Sequence, residues 1–210
     1  MPDLIFADGF ETGNFSTWSS SATNNGALSV STAATMVQLY GMQAAISSNT
    51  SIYVTDNSPV NEAHYRARFY FNPNSISMAK GNSHYLLYGL NGNGVEVLRV
   101  EFGWSGTSYR VRAGLSRNNS SWTDSSWFNI SNAVHYIEID WRAATASGAT
   151  DGGLTLWIDG IQNANLTGIS NDTRRIETVL LGAVAGIDSG TSGTYYFDAY
   201  ESRRSTYIGP

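Results

Sequence analysis

Glu138 and Asp140 stand two residues apart in the segment Val134-His135-Tyr136-Ile137-Glu138-Ile139-Asp140-Trp141-Arg142. On an extended strand that spacing puts both carboxylates on one face, where they could work on a glycosidic bond. A retaining mechanism needs two carboxyl groups ~5–5.5 Å apart flanking that bond, one of them the proton donor. The next residue on the same face is Arg142, so the strand carries no third acid. The three histidines, His64, His84 and His135, lack the spacing of a zinc site. His64 or His84 as a base with Tyr70, Tyr85 or Arg66 would suit a polysaccharide lyase, although a lone histidine beside an arginine on a sheet is ordinarily structural. No G-x-S-x-G elbow, phosphate-binding loop or dinucleotide fingerprint occurs.

A second acidic set lies at the two ends of the chain. Asp8 and Glu11 flank Gly9 in a turn able to aim backbone carbonyls, and Asp198 sits in the last strand. Calcium takes about six to eight oxygen ligands, so Asp8, Glu11 and Asp198 are the expected metal ligands. The alternative is that the first two cap a turn while Asp198 pairs with an arginine.

The remaining chemistry is that of arginine and aromatic rings. Eleven arginines stand against a single lysine, beside six Trp and twelve Tyr. Planar guanidinium groups suit bidentate recognition, and sugars lay their apolar faces on aromatic rings. Arg66, Arg68, Tyr70, Arg99, Glu101 and Arg112 are expected on outward faces of central strands. Trp122 and Trp127, in Ser116-Arg117-Asn118-Asn119-Ser120-Ser121-Trp122-Thr123-Asp124-Ser125-Ser126-Trp127, are expected at or near a loop, where an exposed aromatic often marks binding. If those strands are neighbours, these residues form one Arg-rich ligand surface. Cross-strand ion pairs worth ~0.2–1 kcal/mol each are the structural alternative.

Strands must position all of these groups. Period-two alternation, with Gly, Asn and Ser punctuation, recurs about every ten residues. It predicts strands near 4–7, 27–31, 43–47, 51–55, 63–72, 83–90, 95–104, 108–115, 125–129, 134–142, 153–159, 161–166, 176–186 and 194–203, and at most a helical turn at 170–175. Asn91-Gly92-Asn93-Gly94 and Asp159-Gly160 read as hairpin turns. Tyr65, Ala67, Phe69 and Phe71 should face the core, as should Leu98, Val100, Phe102 and Trp104, and Ile137, Ile139 and Trp141.

At 210 residues the chain suits one large all-β domain, 1–210, with a core needing no staples. Only 14% of residues are charged, the net charge is −5, and there is no cysteine. The acidic balance argues against nucleic acid. No run approaches the ~20 apolar residues of a membrane helix, so no membrane insertion is expected. Met1-Pro2-Asp3 leads directly into a strand without a signal peptide, which reads as a secreted chain without its leader, with flanking domains of a larger surface protein as expected partners.

The opening Asp8-Gly9-Phe10-Glu11, and the closing Phe197-Asp198-Ala199-Tyr200-Glu201-Ser202, together resemble bacterial concanavalin A-like jelly rolls, the lectin, glucanase and laminin-G-like superfamily. That resemblance implies a two-sheet antiparallel β-sandwich whose end strands lie together, with a structural calcium between the two motifs. Glu138-Ile139-Asp140 also resembles the start of the E-x-D-x-E strand of laminarinase-type endoglucanases, in which the missing third acid is the proton donor. His135 to Trp141, with Leu154-Thr155-Leu156-Trp157-Ile158-Asp159-Gly160, equally resembles a structural laminin-G-like pattern. The resemblance therefore implies a non-catalytic, extracellular or cell-surface carbohydrate-binding domain whose partner is a glycan or polysaccharide. A glycoside hydrolase or lyase of the same fold, or an adhesive surface-layer or filament subunit, are the alternatives.

Overall fold

The computed structural model describes residues 1–210. The alternating pattern resolves into seventeen strands and one turn of 3-10 helix, Thr32–Ala34. Sheet I runs β15 (Ile161–Ile169), β14 (Gly152–Ile158), β13 (His135–Arg142), β6 (His64–Asn72), β17 (Thr191–Arg203), β4 (Gly41–Ile46) and β3 (Leu28–Ser31). Both β1 (Leu4–Asp8) and β7 (Ser77–Met78) add to β17. Sheet II runs β11 (Trp122–Asp124), β10 (Tyr109–Ser116), β9 (Glu96–Trp104), β8 (Ser83–Leu90), β16 (Thr178–Ala185), β5 (Ile52–Asp56) and β2 (Ser20–Ala22), with β12 (Phe128–Ile130) also on β10. Every strand pairing is antiparallel. The result is a two-sheet β-sandwich of jelly-roll type.

One core of 41 buried residues fills the space between the sheets. Its largest side chains, among them Trp141, Tyr65, Phe69, Phe71, Phe102 and Phe197, come from the inward positions of β6, β9, β13 and β17. Losing any one such aromatic to alanine would cost ~3–5 kcal/mol, because the cavity left behind closes only partly. Trp104 departs from expectation. It ends β9 at the rim of the core, partly exposed and packed on Tyr109 with ring centroids 4.8 Å apart.

The Asp159-Gly160 turn has both residues at positive φ, 52° and 77°, as a two-residue hairpin with right-handed strand twist requires. The strand expected at 125–129 is instead mostly a link, residues 125–127, between the short strands β11 and β12. β11 contains Trp122, and Trp127 lies in the link to β12. Residues 170–175 hold a plain turn, closed by Arg174 N donating to Asn171 O at 2.9 Å, and no helix. No helix in the chain is long and apolar enough to cross a membrane.

The feature that builds the site is in β17. Tyr195 and Phe197 point inward two residues apart, but the next core aromatic is Tyr200, three further on. The pairing with β6 slips between Asp198 and Glu201, with Ala199 at φ 43°. This is a β-bulge, one extra residue that restores Tyr200 to the core and kinks the strand. Its consequence is that Asp198 and Glu201 both lie on the outer face, opposite Tyr70 and Arg68 of β6.

Candidate functional site

The first and last strands pair as expected: Asp8 lies opposite Tyr200, so Asp8 and Asp198 occupy the same corner of sheet I. Three acids meet there, yet each is engaged by its own donors. Asp8 accepts from Phe10 N at 3.1 Å and from Trp18 Nε1 at 2.7 Å. Glu11 Oε1 accepts from Leu39 N at 3.1 Å and Tyr40 N at 3.0 Å. Asp198 Oδ2 accepts from Met36 N at 2.9 Å and Val37 N at 2.7 Å, while its Oδ1 takes Ala199 N at 2.6 Å. Asp198 and Glu11 thus clamp the 36–40 loop from two sides, and Gln38 between them is forced to φ 70°. No three His, Asp or Glu side chains in the chain converge as ligands of one ion. The side chains expected to hold calcium accept backbone N–H groups in this structure. None of the three acids meets an arginine, lysine or histidine. Burial raises the pKa of Asp8 and of Asp198, and the charge of Glu11 adds to both shifts.

Beside this corner opens a cavity of about 390 Å³, walled by Asp8, Gln38, Arg68, Tyr70, Ala199, Glu201 and neighbouring backbone. Arg68 is 8% exposed and makes a single hydrogen bond, Nη2 to Glu201 Oε2 at 3.4 Å, with its guanidinium over the Tyr70 ring. Its Nε is buried without a partner. The cavity therefore gathers a nearly free buried guanidinium, a phenol, an amide and two carboxylates. Two residues in its wall, Gln38 and Ala199, hold positive φ, the kind of strain that gathers at functional sites. Five residues marked from sequence meet at this corner: Asp8, Glu11, Arg68, Tyr70 and Asp198. Gln38 and Glu201 were not anticipated. The irregular spacing of Tyr195, Phe197 and Tyr200 was the one available signal for Glu201.

Farther along sheet I the charges are spent on one another. Arg66 donates to Glu138 Oε1 at 3.2 Å and to Asp140 Oδ2 at 3.0 Å, and His64 Nε2 lies 2.5 Å from Asp140 Oδ1. Glu138 is fully buried, and its carboxylate also accepts from Ile208 N and Gly209 N at 3.0 Å each. Tyr207 packs on Trp157, and Arg66 lies over both rings. The 204–210 segment thus covers the carboxylate that a glycosidase would need open. His84 points inward from sheet II and is fully buried against Tyr195, and burial lowers its pKa to about 4. It is a core residue, which removes the lyase pairing with Tyr70 or Arg66.

The single Arg-rich surface expected from alternation does not form. Strands β6 and β13 belong to sheet I and β9 and β10 to sheet II, so their outward faces lie on opposite sides of the sandwich. Alternation assigns the face of a strand and is silent about which sheet the strand joins. Arg66, Arg68 and Tyr70 are therefore separated by the whole core from Arg99, Glu101, Arg112, Trp122 and Trp127.

The second group is itself contiguous. Arg99 grips Asp124 through Nε and Nη2 at 2.6–3.0 Å, lies 3.9 Å from the Trp122 ring centroid, and also covers Tyr85. Arg112 Nε donates to Glu101 Oε2 at 2.6 Å, and Ser83 donates to the other oxygen. Trp127 reaches across β10 to Gly103, where a side chain would crowd its ring, and carries both Arg110 and Arg112. The rings expected to stack on sugar are stacked on arginines.

No protein-family model and no curated protein matches this chain. Its fold is similar to several solved structures. Cip1, a cellulose-induced protein, superposes with a TM-score of 0.68 at 18% identity over 98% of this chain and 99% of that one. A mutant of the alginate lyase Aly36B in complex with alginate tetrasaccharide gives 0.65 at 12%, over 99% of both chains. Domain 4 of AbnA, an extracellular arabinanase from Geobacillus stearothermophilus, in complex with arabinotriose gives 0.61 at 11%, over 98% and 94%. At these identities the likeness is one of fold: the chain shares its two-sheet sandwich with glycan-acting and glycan-binding proteins.

Proposed function

We propose that this protein binds carbohydrate without cleaving it, outside the cell or at its surface, with the corner cavity of sheet I as the site. The observation that carries the reading is the 390 Å³ cavity into which Asp8, Gln38, Arg68, Tyr70 and Glu201 converge. Its size is within the ~300–1,000 Å³ range of ligand pockets. Guanidinium, amide, carboxylate and phenol groups are the donors and acceptors that a vicinal diol engages, and Tyr70 adds a ring. The oligosaccharides bound by two fold relatives, an alginate tetrasaccharide and arabinotriose, support the ligand class. The absence of cleavage is argued from Glu138, which is sealed, from Asp140, which is held by Arg66 and His64, and from Arg142 standing where a third acid would be needed.

Calcium belongs to the same proposal on grounds of charge. Three carboxylates share a corner without a cationic side chain, and a hard cation with oxygen ligands is the chemistry that would relieve them. Asp8, Glu11 and Asp198 do not converge on one point as they stand, so they would have to draw together to hold it, on lone pairs not used by backbone N–H groups. The test of the binding reading is a neutral and acidic oligosaccharide array, followed by titration of the Arg68→Gln and Tyr70→Phe variants. Binding that survives both substitutions unchanged would remove the cavity as the site, and turnover of any glycan by the wild-type protein would overturn the non-catalytic part.

A further inference from the structure

Arg110 is the anomaly of sheet II. It projects from the outer face of β10, half-buried, and makes no hydrogen bond and no ion pair. Its Nε is buried without a partner, and its guanidinium carbon lies over the Trp127 ring, 4.4 Å from the centroid. Arg112, two residues on, packs against the same ring at 4.5 Å and uses only Nε on Glu101. Across this patch Arg99, Arg110 and Arg112 face Glu101 and Asp124, which leaves one positive charge uncompensated on a chain of net charge −5.

The patch is built. Gly103 lies opposite Arg110 in the β9–β10 ladder, and a Cβ there would come within 3.2 Å of Trp127, so glycine is what lets the ring lie down over the sheet. Gly114 similarly makes room for Asp124, the carboxylate that fixes Arg99. Rings and carboxylates hold the guanidinium groups in place before any ligand arrives, which reduces the ordering cost of binding. A planar guanidinium with free N–H groups matches a carboxylate or sulfate oxygen pair.

We infer that the outer face of sheet II is a second binding site, centred on Arg110, Arg112 and Trp127, for the anionic group of an acidic saccharide, either a uronate carboxylate or a sulfate ester. Trp122 and Tyr85 flank the patch half-buried, with the Arg99 guanidinium over both rings. The site stands apart from the corner cavity and does not depend on it.

The test is calorimetric titration of the whole chain with tetragalacturonate, with a sulfated disaccharide and with neutral cellotetraose, at low and moderate salt. At least one anionic probe should bind more tightly than cellotetraose, weaken with salt, and lose about tenfold or more in affinity on Arg110→Gln. The anionic probe that responds identifies the source. Arg68→Gln should leave this binding intact, so failure of the cavity reading and failure of this one are separable. Trp127→Leu, with its melt checked by circular dichroism, should weaken binding without removing a charge. Equal affinity for charged and neutral probes, or anionic binding that Arg110→Gln leaves unchanged, would overturn the inference.

Discussion

Replacing Glu138 by alanine separates a carboxylate that holds the fold from one that attacks a sugar. In the folded chain its oxygens accept from Arg66 at 3.2 Å and from Ile208 N and Gly209 N at 3.0 Å each, with no solvent exposure. Alanine leaves two backbone N–H groups without an acceptor, at ~1–3 kcal/mol each if they stay buried. Breaking a buried ion pair from one side costs ~3–5 kcal/mol. Arg66 keeps Asp140 at 3.0 Å, and the 207–209 segment can turn its N–H groups toward water, so the lower end applies. We expect a loss of about 3 kcal/mol, which for a chain of this length lowers Tm by roughly 6–12 °C. Glu138→Gln keeps one acceptor oxygen and should lose about half as much. Thermal melts followed by circular dichroism at neutral pH measure both, with a reducing-sugar assay run on the same samples. An unchanged Glu138→Ala melt would refute the structural role. So would a Glu138→Gln variant that melts like wild type but loses a glucan-cleaving activity that wild type possesses.

The remaining expectations concern pH, metal and ligand. His84 is neutral in the core with its pKa lowered from 6.5 to about 4, so its contribution is complete above pH 6.5 and is lost as pH falls toward 4. At ~1.4 kcal/mol per pH unit the loss approaches about 3 kcal/mol, and His84→Phe should flatten Tm against pH in that window, where an unaltered slope would count against it. Asp8, Asp56 and Asp198, whose pKa values burial raises, act in the opposite sense and regain stability as pH falls through those raised values. If the acidic corner takes calcium, the ion at a hundredfold excess over its Kd adds ~2.7 kcal/mol; chelation then lowers Tm by several degrees, and Asp198→Asn abolishes the difference. Identical melts with and without chelator would leave the three acids as loop clamps alone. For the corner cavity, Arg68→Gln should weaken a bound oligosaccharide about tenfold or more by removing a charged donor, read by titration against a variant control at Arg142, which is half exposed and lies outside that cavity.

Much of this fold is legible because alternation is a local property. Tyr65, Ala67, Phe69 and Phe71 are inward and buried as their spacing requires, and so are Ile137, Ile139 and Trp141. The strands that escape notice, Ser20–Ala22, Ser77–Met78 and Trp122–Asp124, are two or three residues long and held by the neighbours they complete. Sheet membership is a different kind of information. Arg68 and Arg112 have the same local pattern, yet one faces Glu201 of β17 and the other Glu101 of β9, on opposite sides of the core. Only long-range pairing decides that, and nothing in either strand records it. Trp122 and Trp127 were legible as half-exposed rings, but their partners were not, because Arg99 and Arg110 come from strands more than a dozen residues away.

The bulge at Ala199 shows how a local irregularity turns a stable sheet into a site. With unbroken alternation after Phe197, Ala199 would face the core and Tyr200 the solvent, because a one-residue slip sends every later side chain to the other face. The core would then lose Tyr200, whose hydroxyl lies 2.7 Å from that of Tyr65 and whose ring packs on Trp18. The extra residue keeps Tyr200 inside and leaves two acids outside, Asp198 and Glu201. Asp198 goes to the 36–40 loop and Glu201 to Arg203 and Arg68, so the cavity opens between two carboxylates held by different partners. The same stretch of β17 also receives β1, so the start of the chain, with Asp8, is delivered to that cavity by ordinary ladder pairing. The acidic motifs at the two ends of the sequence are thus brought together by backbone register, and the cavity they share depends on the one residue that breaks it.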